Sequence, residues 1–196
     1  LRRYIREVGE LVVHEDSVFA WVPTTPSVSR QAIFSAKPPV QFAGSIDTTS
    51  KEPSMWAQFW ADHGVTGRQV TYRKGLGDTS DLTEIEAMAD HPQVRVMGLV
   101  VDKIDKMMHG AELGMKGLHN QVSVWARDEF LTSLCSLLVK RDFVVYITSD
   151  HGNVETFGIG RPSEGAIAEE RGERARIYPD QELRRQIKSK FPSSTE

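Results

Sequence analysis

Two apolar runs, Val94 to Val101 and Phe143 to Thr148, constrain this chain more than any other feature. Both are rich in Val, Ile and Leu, which is how parallel strands read when helices cover both faces of their sheet. Parallel strands need a long crossover, usually a helix. Between them Leu118, Val122, Trp125, Leu131, Leu134 and Leu138 recur at steps of three and four, apart from a phase break near Asp128. That periodicity predicts a long helical region from Leu113 to Lys140. Further strands are expected at Val18 to Val22, Gln69 to Tyr72 and Arg174 to Tyr178. Shorter helices are expected at Ser27 to Phe34, Met55 to His63, Leu82 to Ala89 and Asp180 to Phe191, the last capped by Asp180. The segments Ser35 to Ser54 and Gly152 to Gly172 read as loops, the second long enough to suggest function. The alternation of elements implies an α/β fold with helices on the faces of one sheet.

The chain has 196 residues, 39% hydrophobic and 26% charged, enough for one core and too apolar for overall disorder. Repeats and a second domain are not apparent, so residues 1–196 read as a single domain. Lys and Arg number 24 against 27 Asp and Glu, a net charge of −3. That balance excludes coating of nucleic acid or an anionic membrane by bulk charge. No apolar stretch approaches the about 20 residues of a membrane helix. The single cysteine, Cys135, cannot form an intrachain disulfide and lies in an apolar helical run, which fits a reducing, cytoplasmic compartment. The sequence starts at Leu1 without methionine and meets apolar residues almost at once, which reads as a piece of a longer protein.

Three segments could carry chemistry. Ser149-Asp150-His151-Gly152-Asn153 follows the Phe143 to Thr148 run, and ligands of open parallel sheets bind beyond the carboxyl ends of strands. Asp102 to Gly110 leaves the Val94 to Val101 run in the same way. There Asp105 and His109 are four residues apart, so one helical turn would put carboxylate and imidazole on one face, with Asp102 as a reserve. Each segment alone also reads as a capped turn or a solvated helix end. Together they suggest a site for divalent metal, zinc first and manganese second for such mixed oxygen and nitrogen donors. The third segment is Pro23-Thr24-Thr25-Pro26-Ser27-Val28-Ser29-Arg30, a helix start where Thr24 or Thr25 could serve as a nucleophile. The competing reading is plain capping, with Thr25 as N-cap and Pro26 at the first helical position. Arg30, Arg161, Arg171 and Arg174 could bind phosphate oxygens. Trp56, Phe59 and Trp60 share a helical spacing and read as core. Dinucleotide and P-loop signatures are absent from the sequence.

These motifs, in this order, resemble the PglZ domain of the alkaline phosphatase superfamily, found in bacterial phage-defence systems of the BREX type. The resemblance spans nearly the whole chain and rests on Pro23 to Ser35, on Gly98 to Gly110, and on Tyr146 to Asn153 followed by Gly158 to Tyr178. It implies a three-layer α/β/α sandwich with a mostly parallel central sheet. It further implies that Asp105 and His109 bind one metal, that Asp150 and His151 bind another, and that Thr24, Thr25 or Ser27 is the nucleophile. Related sequences often read Pro-Thr-x-Thr, which puts Pro26 where the second Thr would stand. The superfamily's first metal-binding Asp normally ends a first strand, which this chain is expected to lack, and no histidine follows His151.

The expected function is metal-dependent hydrolysis of phosphomonoester or phosphodiester bonds in phage defence, with nucleic acid as a candidate substrate, Arg30 and Arg174 on the phosphate, and other defence proteins as partners. A catalytically inactive module that contacts proteins of a defence complex is the alternative. Phosphomutase chemistry is a third option.

Overall fold

The segments that begin at Val70 and Val96 pair in the computed structural model, which describes residues 13–109, 114–152, 165, 170–171 and 176–191. Its contacts divide the chain into two units, residues 1–18 with 56–148 and residues 19–55 with 149–196.

In the first unit, β1 (Val70–Leu76) and β2 (Val96–Val101) run parallel, with Val70 opposite Val96 and Leu76 opposite Val101. β1 continues past the expected end at Tyr72 through Arg73 and Lys74, whose polar side chains are exposed. The register then shifts between Lys74 and Leu76. Gly75, at φ 87°, supplies the left-handed backbone that such a bulge uses, and Leu76 turns inward to 2% exposure. The crossover between the two strands contains α3 (Leu82–Ala89), within the bounds expected for it.

Ile85 of α3 joins Leu76, Trp125, Phe130, Leu131, Leu134 and Leu138 in the core. Each such side chain contributes roughly 1.5–3 kcal/mol on full burial. The phase break near Asp128 marks a true interruption. α5 (Gly114–Arg127) ends there, Glu129 takes φ 60°, and α6 (Phe130–Val139) starts on a new phase that turns Phe130, Leu131, Leu134 and Leu138 inward. β2 is followed by α4 (Lys103–His109).

Two strand expectations fail. Residues 143–148 belong to neither sheet. Phe143 and Val145 pack against the core, while Val144 and Tyr146 lie 77% and 90% exposed. The run thus covers only Phe143 and Val145, and those partly, while Ile147 is 53% exposed, whereas its apolar composition had suggested cover on both faces. Val18 to Val22 likewise forms no strand, and Val18, Phe19 and Val22 are exposed, so those β-branched and aromatic residues lack the packed surface on which their strand preference depends.

In the second unit, α1 (Pro26–Ser35) starts at Pro26 and stops at Ala36, whose φ is 52°. A 3-10 helix at Pro39–Ser45 occupies part of the expected loop, and α2 (Glu52–Asp62) begins three residues before the expected Met55. α2 continues into the first unit, where Trp56, Phe59 and Trp60 are half-buried, short of the full burial expected of core. Trp56 Nε1 donates to the Thr71 carbonyl at 3.0 Å. Later in the chain, β3 (Glu170–Arg171) pairs antiparallel with β4 (Arg176–Ile177), which lies within the strand expected at Arg174 to Tyr178; residues 174 and 175 lie outside the described residues. α7 (Gln181–Lys190) is capped as expected, with Asp180 Oδ1 accepting from the Leu183 N–H at 2.7 Å. Most of the expected loop at Gly152 to Gly172 lies outside the described residues. The structure therefore has mixed helices and strands with a small parallel sheet.

Candidate active site

Pro26 fixes the backbone angle that a first helical residue needs and has no N–H to leave unsatisfied, so α1 starts directly after Thr25. Thr25 occupies the N-cap, where a hydroxyl normally accepts from an N–H of the first turn. Its side chain makes no such bond; its backbone carbonyl instead accepts from the N–H groups of Val28 and Ser29 at 3.1 and 2.8 Å. The capping reading thus holds for Thr25's position and fails for its hydroxyl. That hydroxyl lies 3.4 Å from the Ser27 hydroxyl, and both residues are 6% exposed. Thr24 is half-buried and therefore more open.

Behind this turn sits a buried amide. Gln31, wholly buried, donates from Nε2 to the carbonyls of Ser27 at 2.5 Å and Ser45 at 2.8 Å, and its Oε1 accepts from Ser45 Oγ at 2.7 Å. The bracket ties the hydroxyl-bearing turn to the end of the 3-10 helix. Its neighbour Arg30 pairs with Glu52 across 22 residues, Nη2 to Oε2 at 2.6 Å. The Glu52 side chain is 0% exposed and that of Arg30 17%. Sequence reasoning named Arg30 and missed Gln31 and Glu52. Neither carries a local signal, because each acts on a partner far along the chain.

Asp150 and His151 belong to the same unit as Thr25 and Arg30. His151 Nε2 lies 3.8 Å from Asp150 Oδ2, with the imidazole nearly buried and the carboxylate partly open. Asp150 Oδ1 accepts from the His151 N–H at 3.0 Å, and Ser149 Oγ donates to the His151 carbonyl. Nδ1 of the ring is 3.1 Å from the Gly152 carbonyl.

Asp105 and His109 belong to the other unit. α4 places them one turn apart, with Oδ1 and Nε2 at 3.6 Å on an exposed face. Asp102, the reserve ligand, instead pairs with Lys106 at 2.9 Å. Arg161 and Arg174 lie outside the described residues, as does the side chain of Arg171.

A carboxylate beside an imidazole, present twice, fits a borderline divalent cation by its donor chemistry. Zinc takes about four ligands, so either pair supplies half a coordination sphere. Among the described residues no three His, Cys, Asp or Glu side chains are grouped to hold an ion. Cys135 offers no alternative nucleophile, because it is 4% exposed and burial pushes its thiol pKa up. No helix among the described residues is long and apolar enough to cross a membrane.

Neither the curated proteins nor the solved structures include a significant match to this chain. The family comparison does match, over residues 1–195, and the chain belongs to the family described as the BREX system PglZ alkaline phosphatase-like domain.

Proposed function

We propose that the chain is a metal-dependent hydrolase of phosphomonoester or phosphodiester bonds acting in phage defence. The observation that carries this reading is the head of α1. Its N-cap hydroxyl is not used for capping, its first turn is bracketed by Gln31, and Arg30 is held by Glu52. Asp150 and His151 share that unit.

In this scheme the hydroxyl oxygen of Thr25 or Thr24, with Ser27 as the third candidate, bonds to phosphorus as the bond to the leaving oxygen breaks. The hydroxyl proton passes to the departing oxygen, and water then cleaves the phosphorylated side chain to restore the hydroxyl and release phosphate from a monoester substrate, or a phosphate monoester from a diester. Arg30, and Arg174 with it, holds phosphoryl oxygens through paired charge-assisted hydrogen bonds. The positive end of α1 favours the same anion. Asp150 with His151, and separately Asp105 with His109, would each hold zinc or manganese, and a bound metal would supply Lewis-acid charge for the transfer. Nucleic acid is the proposed substrate class and other defence proteins are the proposed partners, in the cytoplasm. We also assign residues 1–196 to a single domain with the three-layer α/β/α architecture of its family.

The 6% exposure of Thr25 and Ser27 favours a second reading, a module that keeps the fold for protein contacts without catalysis. Hydrolysis of an aryl phosphate monoester and diester by the full chain separates the two. The hydrolase reading expects turnover with zinc or manganese and a loss of at least about 100-fold in Asp150→Ala, above the usual effect of removing an outer-shell partner. Equal inertness of both proteins would leave the protein-contact reading.

A further inference from the structure

Arg30 and Glu52 form the most buried ion pair among those described. The Glu52 side chain has no exposed surface, and its Oε2 receives Arg30 Nη2 at 2.6 Å. A carboxylate taken wholly out of water costs free energy that attraction to its partner does not reliably recover, so such a pair is poorly explained as a device for stability alone. Its place suggests another use. Arg30 follows Pro26 by four residues and Ser27 by three within α1, so all three occupy one helical face. Long helical side chains lean toward the N-terminus, over the preceding turn, which here is the turn with the candidate nucleophile. The Arg30 side chain is held by Glu52 and still keeps 17% of its surface.

We propose that Glu52 is a positioning residue that fixes the Arg30 guanidinium over the first turn of α1 as a preset clamp for phosphoryl oxygens. This rests on the phosphoester reading above and names the residue that orients its anion-binding group. A guanidinium has several N–H groups in a rigid plane, so one edge can rest on a carboxylate while another meets phosphate. A free arginine must lose its rotamer freedom when the anion arrives; one already held has lost it during folding. The pair sums to zero charge, so Glu52 contributes direction, and it does so against its own repulsion of an anion. The sign of its removal is therefore informative. If Glu52 positions Arg30, neutralising it weakens phosphate binding, and if Glu52 only offsets charge, neutralising it tightens binding.

The test is titration of the full chain with inorganic phosphate by calorimetry, using wild type, Glu52→Gln, Arg30→Met and the double variant. Circular dichroism verifies folding, and Glu52→Gln retains shape and one acceptor oxygen so that the pocket stays filled. Glu52→Gln is expected to weaken phosphate binding about fivefold to tenfold in the presence of Arg30 and less than about twofold in the Arg30→Met background, the signature of coupled residues. Unchanged or tighter binding in Glu52→Gln would overturn the positioning role and leave the phosphate site standing. Absence of phosphate binding in wild type would overturn the phosphoester reading itself, and this inference with it.

Discussion

Gln31 and Ser45 close a reciprocal pair of hydrogen bonds, Nε2 of Gln31 to the Ser45 carbonyl at 2.8 Å and Oγ of Ser45 to Oε1 of Gln31 at 2.7 Å. With the further bond to the Ser27 carbonyl, the Gln31 amide makes three hydrogen bonds inside the protein. Gln31→Leu fills a similar volume and removes all of them. Leaving buried polar groups unmatched costs about 1–3 kcal/mol each, so a total loss of about 2–4 kcal/mol is expected once some regain water. Urea unfolding measures it through a lower midpoint at unchanged slope, and a loss below about 1 kcal/mol would show that the bracket is not what fixes the turn.

Gly77 joins the end of β1 to the helices beyond it. Its φ is 152°, its N–H donates to Asp81 Oδ2 at 2.8 Å, and its carbonyl accepts from Trp125 Nε1 at 2.6 Å. A Cβ here would collide with the Cβ of Lys103 at the start of α4. Gly77→Ala is expected to destabilise the protein by roughly 1–3 kcal/mol and to change Trp125 fluorescence, because backbone strain and overpacking act together. A variant with wild-type stability and emission would contradict this account of the joint.

Arg141 clamps Asp90 from two sides, Nε to Oδ1 at 2.6 Å and Nη2 to Oδ2 at 3.1 Å, and Nη2 also reaches Glu86 Oε1 at 2.6 Å. The hydrogen bond from Arg141, aided by the attraction of its charge, holds the Asp90 carboxyl below its ordinary value. Because the folded value is the lower one, the clamp's stabilisation is present above the unfolded pKa of about 3.9 and is lost as pH falls through the folded value. Titration of Asp90 by NMR should therefore give a midpoint below the ordinary carboxylate range in wild type and a return to that range in Arg141→Gln. Identical midpoints would refute the clamp.

Cys135 lies in α6 at 4% exposure, with its thiol pKa raised by burial. Since the thiolate is the reactive form, an aromatic disulfide reagent is expected to label Cys135 at least about 100-fold more slowly in buffer than in urea. Comparable rates in the two conditions would mean that α6 opens readily.

What was legible in the sequence is what depends on neighbours along the chain. α3, the break before Phe130 and the Asp180 cap follow from periodicity and capping chemistry. The same locality explains why Asp105 meets His109 at 3.6 Å and Asp150 meets His151 at 3.8 Å. The misses depend on distant partners. Residues 143–148 have strand composition, yet a strand also needs a neighbour's backbone, which composition does not report. The extension of β1 past Tyr72 depends on pairing with β2, and its register shifts at Gly75 before Leu76 meets Val101. Glu52 carries no local signal, because its buried partner Arg30 stands 22 residues earlier in the chain.

The proposal that each Asp/His pair of this chain binds divalent metal is tested most directly by equilibrium dialysis of the full chain against zinc, with metal analysis of the protein. Wild type should retain zinc after exchange into metal-free buffer, while Asp150→Ala with His151→Ala, and separately Asp105→Ala with His109→Ala, should each lower the amount retained. Wild type that retains no zinc or manganese, or paired variants that retain as much as wild type, would contradict the claim.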